Sequence, residues 1–152
     1  MSVSTWSLSV DDRERLIQAA LSAKGRAYNP YSKFRVGAAL LTPDGQIISG
    51  ANVENASYGG TICAERTALV KAVSEGTKTF VALAVTSDVD SPISPCGICR
   101  QFIREFCTLK MPIILAPSLY VAGSGERLIE TTVEGLLPHS FGPEHLEMPR
   151  KP

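Results

Sequence analysis

Between residues 36 and 116 the chain alternates short apolar runs with segments of helical periodicity, and no other feature restricts its fold as strongly. Strands alternating with helices imply an α/β layered domain. Val36 to Leu41 is a small apolar run closed by Thr42-Pro43-Asp44-Gly45, and Gln46 to Gly50 follows, so the two runs read as a β-hairpin with an Asp-Gly turn. Ala51 to Ile62 is a polar loop. Cys63 to Glu75 carries Ala64, Ala68, Leu69 and Ala72 at helical spacing, and Gly76 suits the position just past a helix end. Phe80 to Thr86 is continuously apolar, as a buried strand is. After the loop Ser87 to Pro95, Gly97 to Phe106 reads as a helix and Pro112 to Ala116 as a strand. The opening hairpin makes the expected sheet mixed.

The flanks are simpler. Ser9-Val10-Asp11-Asp12 reads as a helix start with Ser9 as N-cap and Asp12 at N3, and Leu16, Ile17, Ala20 and Leu21 continue it to about Arg26. Leu119 to Ala122 and Arg127 to Thr131 flank Gly123-Ser124-Gly125 as a second hairpin, and Val133 to Leu137 forms a helical turn before Pro138. Residues 1–8 and 147–152 are expected to be flexible tails of one domain spanning 1–152, a length that suits a single core. A formal net charge of zero with scattered cations argues against a nucleic-acid footprint. Met1 to Val10 has neither a basic region nor an apolar one, and no apolar run approaches the roughly 18 residues of a membrane span. The expectation is a cytoplasmic protein with no membrane partner, whose four cysteines serve metal binding or catalysis rather than disulfides.

Cysteine falls at two strand-to-helix junctions, Cys63-Ala64-Glu65 and Pro95-Cys96-Gly97-Ile98-Cys99. Side chains at i and i+3 of a helix are neighbours, so Cys96 and Cys99 can grip one metal ion, and a helix N-terminus favours their thiolates. Cys107 lies eight residues after Cys99, about 12 Å along a helix, too far to share that ion. It reads as a buried helix residue. His139 and His145 lie near the C-terminus and read as surface residues. Three ligands with a fourth position for water is the catalytic arrangement of zinc. Glu65 is then the acid placed to move protons. A perfect helix sets residues 63 and 65 about 200° apart, so both can face one ion only if the helix begins near Cys63. Three thiolates leave a zinc centre anionic. Arg66, and as a second candidate Arg100, are placed to donate hydrogen bonds that withdraw charge.

At these residues the sequence resembles the cytidine deaminase family. The resemblance is carried by Cys63-Ala64-Glu65-Arg66 and Ser94-Pro95-Cys96-Gly97-Ile98-Cys99-Arg100-Gln101. It extends to Phe34-Arg35-Val36-Gly37-Ala38, to Asn52-Val53-Glu54-Asn55-Ala56-Ser57-Tyr58, and to Leu136-Leu137-Pro138 and Phe141-Gly142-Pro143, covering about residues 12 to 146. Zinc deaminases carry a glutamate followed by a P-C-x-x-C signature. The resemblance implies a three-layer α/β fold with a mixed sheet of about five strands flanked by helices. It implies one zinc per chain on Cys63, Cys96 and Cys99, with Glu65 as proton shuttle and Arg66 supporting the ligands. It places Asn52 and Glu54 at the ribose hydroxyls, Phe34 against the base or sugar, and the backbone of Ala64 and Ser94 at the pyrimidine edge, with Tyr58 and Phe141 as further substrate contacts. It also implies hydrolysis of cytidine and 2′-deoxycytidine in pyrimidine salvage, by a homotetramer whose subunits complete one another's sites. Relatives that edit polynucleotides have His at the first ligand position; this chain has Cys63, as the free-nucleoside enzymes do.

Overall fold

The computed structural model describes residues 7–124 and 127–152. The first six residues of the expected N-terminal tail, and Gly125 of the expected second hairpin, lie outside them. Five strands form one mixed sheet: β1 (Val36–Leu41), β2 (Ile47–Ala51), β3 (Ala82–Ser87), β4 (Pro112–Ala116) and β5 (Ile129–Thr132), in the order β2-β1-β3-β4-β5. Only the β3–β4 pairing is parallel; the other pairings are antiparallel. The helices are α1 (Val10–Ala23), α2 (Ala64–Ser74), α3 (Gly97–Phe106), α4 (Val133–Leu136) and α5 (Pro143–Glu147).

Strand residues alternate between two faces, and here the alternation sorts them into two cores. Ala38, Leu40, Leu83, Val85, Ile113 and Leu115 face α2 and α3, where they meet Ala64, Ala68, Leu69 and Ile103. Ala39, Leu41, Ala82, Ala84, Ile114 and Ala116 face the other way, onto Leu16, Ile17 and Ala20 of α1. The result is three layers, α1 on one side and α2 with α3 on the other. Leu16 and Ile17 are fully buried, each contributing about 1.5–3 kcal/mol.

Two glycines set how closely the helices approach. A Cβ on Gly37 would lie 2.0 Å from the Ala20 carbonyl oxygen of α1. A Cβ on Gly50 would lie 2.5 Å from the Ala68 nitrogen of α2. Local chemistry then fixes the helix ends. The Ser9 hydroxyl accepts from the Asp12 N–H at 3.2 Å. After α2, Gly76 takes φ +97°, with Thr77 N–H to Ala72 carbonyl at 2.9 Å and Gly76 N–H to Val73 carbonyl at 3.0 Å, the two bonds of a Schellman cap.

One expectation fails. Leu119 to Ala122 forms no strand; β5 pairs with β4 instead, Ile129 opposite Leu115. The 118–124 stretch turns on itself, Tyr120 N–H bonding the Pro117 carbonyl at 3.2 Å, and the Tyr120 hydroxyl donates to Glu14 of α1. The segment is spent on covering α1 and has no ladder to offer. Of the expected C-terminal tail, Glu147 belongs to α5.

Candidate metal centre and active-site cleft

Cys63 and Cys96 occupy the same place on two helices. Each is the N-cap, with extended backbone (ψ 158° and 167°), and neither side chain makes a capping hydrogen bond to its own helix. Their sulfurs are thus free to point beyond the helix ends. Cys99, three residues on in α3, joins Cys96, and the three sulfurs lie within 4.8 Å of one another. On α2 the matching position is Arg66, whose Nη2 lies 3.5 Å from the Cys63 sulfur and 3.4 Å from the Thr61 carbonyl oxygen. Because Cys63 stands outside the helix, the opposed directions of a helical pair do not apply, and Glu65 reaches the same cluster. Its Oε2 is 3.8 Å from the Cys99 sulfur, and the residue is 4% exposed.

Cys63, Cys96 and Glu65 line a cleft of about 430 Å³ whose walls also include Phe34, Val36, Asn52, Glu54, Ser87 and Ser94. This is the sheet edge where β3 ends, the usual position of ligands in α/β sheets. Asn52 is clamped by backbone, Oδ1 accepting from Val36 N–H at 2.9 Å and Nδ2 donating to the Phe34 carbonyl at 2.8 Å. An amide keeps one further donor and one further lone pair after such a clamp. Glu54 Oε1 accepts from the N–H groups of Tyr31 and Ser32, both at 3.1 Å, and its carboxyl is held below the usual range first by the Ser32 side-chain hydroxyl and then by these backbone bonds. Beside Phe34, Arg35 grips Asp88 with its guanidinium and its backbone N–H, the latter at 2.9 Å. Lys24 reaches under the sheet to the Ser87 carbonyl at 2.8 Å.

The model of the family described as the cytidine and deoxycytidylate deaminase zinc-binding region matches residues 10–115. The chain belongs to this deaminase family. It is 51% identical over 135 residues to a cytidine deaminase of Sporosarcina psychrophila, covering 89% of this chain and 95% of the relative. To a cytidine deaminase of Halalkalibacterium halodurans it is 49% identical over 135 residues, covering 89% and 98%. The crystal structure of cytidine deaminase from Burkholderia pseudomallei matches with a TM-score of 0.76 at 43% identity, over 84% of this chain and 97% of that one. The five-stranded sheet between helical layers is the fold of this deaminase family.

The thiol cluster suits the family's zinc. Zinc–thiolate bonds of about 2.3 Å set tetrahedral sulfurs roughly 3.8 Å apart, so this cluster needs to contract by no more than about one ångström around an ion. Its charge also calls for a cation. Cys63, accepting from Cys99 and Arg66, is held well below the ordinary thiol range. Cys99 donates to Cys63, is buried and faces Glu65, and is pushed up. A divalent ion accommodates the negative charge of several thiolates at one place. Burial raises the Glu65 carboxyl to about 6.

Other expected residues fall elsewhere. Arg100 does not approach the thiolates; its guanidinium is engaged by the oxygens of Ser94, Pro95 and Leu136. Tyr58 is 76% exposed and lines an adjoining hollow with Tyr31 and Thr61. Phe141 is 56% exposed, stacked on His145 with ring centroids 5.6 Å apart, and does not line the cleft of its own chain. Ala64 is fully buried at the start of α2. Cys107 is a buried thiol, raised to about 12 by burial. Ser87 and Ile93 line the cleft although no chemistry-bearing motif marks either. Among the described residues, no helix is long and apolar enough to cross a membrane.

Proposed function

We propose that this chain works as one deaminase domain over residues 1–152, hydrolysing cytidine and 2′-deoxycytidine to uridine or 2′-deoxyuridine and ammonia, in pyrimidine salvage. The observation that carries the reading is Glu65, a buried carboxyl that lines a nucleoside-sized cleft and lies 3.8 Å from the Cys99 sulfur. Cys63, Cys96 and Cys99 hold one zinc, which supplies Lewis acidity. Glu65 takes a proton from the incoming water, passes it to ring N3, and delivers a proton to the amine that leaves C4. Cytidine and water thereby become uridine and ammonia. Arg66 draws charge from the Cys63 sulfur. Phe34 packs against the substrate's flat face, Asn52 and Glu54 take the sugar hydroxyls, and the backbone at Ala64 and Ser94 meets the pyrimidine edge.

The same proposal includes a homotetramer with shared sites. Two exposed features support it: Ile98, 67% exposed, shares a shallow surface groove on α3 with Phe102 and Phe106, and Phe141 is exposed without lining its own cleft. In the oligomer Phe141 completes a neighbour's site, and Tyr58 is a further substrate contact. Four free thiols fit a cytoplasmic location. Polynucleotides lie outside the reading, since a net charge of zero offers no phosphate track.

Incubating the purified, zinc-loaded protein with cytidine and following the ultraviolet change tests the reading. Turnover that a zinc chelator abolishes is the expected result, and no ammonia from either nucleoside overturns it. Mixing Phe141→Ala with Glu65→Gln subunits tests site sharing: mixed oligomers regain activity, because a Phe141→Ala subunit keeps its own Glu65 and borrows an intact ring. A monomer in sedimentation, or no recovery after verified subunit exchange, defeats it.

A further inference from the structure

We propose that Arg100 is a positioning residue that ties the loop in front of α3 to the C-terminal segment, holding both in register with the metal cluster. Its three nitrogens serve three oxygens: Nε donates to the Pro95 carbonyl at 2.6 Å, Nη2 to the Ser94 hydroxyl at 2.7 Å, and Nη1 to the Leu136 carbonyl at 2.7 Å. All three acceptors are neutral, and among the described residues no carboxylate pairs with it. The guanidinium therefore acts through the fixed geometry of its fork, which a flexible ammonium cannot reproduce.

The two groups it joins come from different parts of the chain. Ser94 and Pro95 immediately precede Cys96, and Ser94 lines the cleft. Leu136 closes α4, and the segment beyond it carries Phe141. Two more α3 side chains fasten that segment: Gln101 Nε2 donates to the Phe141 carbonyl at 2.9 Å, and Arg104 Nε to the Ser140 hydroxyl at 2.9 Å. Gly142 lies flat against the Arg104 guanidinium, where a Cβ would come within 2.4 Å of it. Of these three, Arg100 is the one that also reaches back into the cleft wall. None of these three hydrogen bonds goes to α2, which carries Glu65, so its work falls on holding substrate and not on moving protons. This division rests on the substrate contacts proposed for Ser94 and Phe141.

The test uses zinc-loaded Arg100→Lys and Arg100→Ala proteins, with Ile17→Val, buried on the opposite face of the sheet, as a comparison of general destabilisation. Zinc per chain, amide hydrogen exchange, and KM and kcat for cytidine are measured. In both Arg100 variants zinc stays at one per chain, and exchange rises about tenfold or more together in residues 94–97 and 137–142, while the start of α2 is unchanged. The kcat/KM falls by roughly 10- to 100-fold, the scale of a 1 Å misplacement, mostly through KM. Lysine restores less than a third of the loss. Exchange rising in only one segment, or an equal KM rise in Ile17→Val at matched melting temperature, overturns the proposal. Should the wild type fail on cytidine, the proposed reaction falls, and the paired exchange response alone decides the role of Arg100.

Discussion

Replacing Gly50 with alanine should damage the active site from behind. Gly50 sits in β2 opposite Ala38, and a Cβ there would meet the Ala68 nitrogen at 2.5 Å, the Ala64 carbonyl oxygen at 2.8 Å and the Ala68 Cα at 3.0 Å. All three are backbone atoms of α2, so no side chain can swing aside. To restore contacts of about 3.5 Å, α2 has to retreat by roughly half to one ångström. Overpacking of this kind costs about 1–3 kcal/mol, which for a domain of this size lowers the melting temperature by roughly 2–12 °C. The same retreat shifts the start of α2, where Cys63 is the N-cap and Glu65 stands in the first turn, and a 1 Å misplacement costs on the order of 10²-fold in rate. Thermal melts and steady-state cytidine turnover, run beside Gly25→Ala, measure both effects; Gly25 has open space around it and no positive φ. A Gly50→Ala protein with the melting temperature and turnover of the wild type would refute the reasoning.

Glu65→Gln should fold and hold zinc yet lose about 10²–10⁴-fold in kcat, since an amide cannot accept and return a proton; turnover near wild type would assign the proton transfers to another group. Cys96→Ala should bring zinc well below one per chain by metal analysis, and undiminished zinc would remove Cys96 from the ligand set. Asp88 is held below its ordinary pKa of 3.8, first by the hydrogen bond from Arg35 and further by Lys24. A depressed carboxyl stabilises the fold above its unfolded pKa and loses that contribution as pH falls through the folded value. The melting temperature of wild type should therefore exceed that of Asp88→Asn at neutral pH, and the gap should close below pH 3.8; a gap constant down to acid pH would show that the ion pair is not its source.

Much of this architecture is legible wherever short-range chemistry decides it. Ser9 caps α1 because its hydroxyl is the right acceptor three residues before Asp12, and Gly76 ends α2 because glycine takes a positive φ cheaply. The bounds of β1, α3 and β4 follow from hydrophobic period and match the structure residue for residue. Pairing between distant segments is a different matter. Ile129–Thr132 carries no mark of its preference for β4 over Leu119 to Ala122, because strand partners are chosen by packing that periodicity does not encode. The thiol cluster was readable from spacing, but the joint reach of Cys63 and Glu65 needed the helix to begin one residue after the cysteine. Arg100 shows the limit: its acceptors at Leu136 and Ser94 are 36 and 6 residues away in the chain, and nothing in its local sequence names them.

The placement of the cysteines at the starts of two helices separated by β3 also makes the cluster a reporter of the whole packing. Cys96 and Cys99 are neighbours three residues apart on one helix, while Cys63 meets them only where β1 pairs with β3 and α2 is seated against Gly50. A three-sulfur site therefore exists only where sheet and helices are in place together, and any loosening of α2 leaves no more than the local pair.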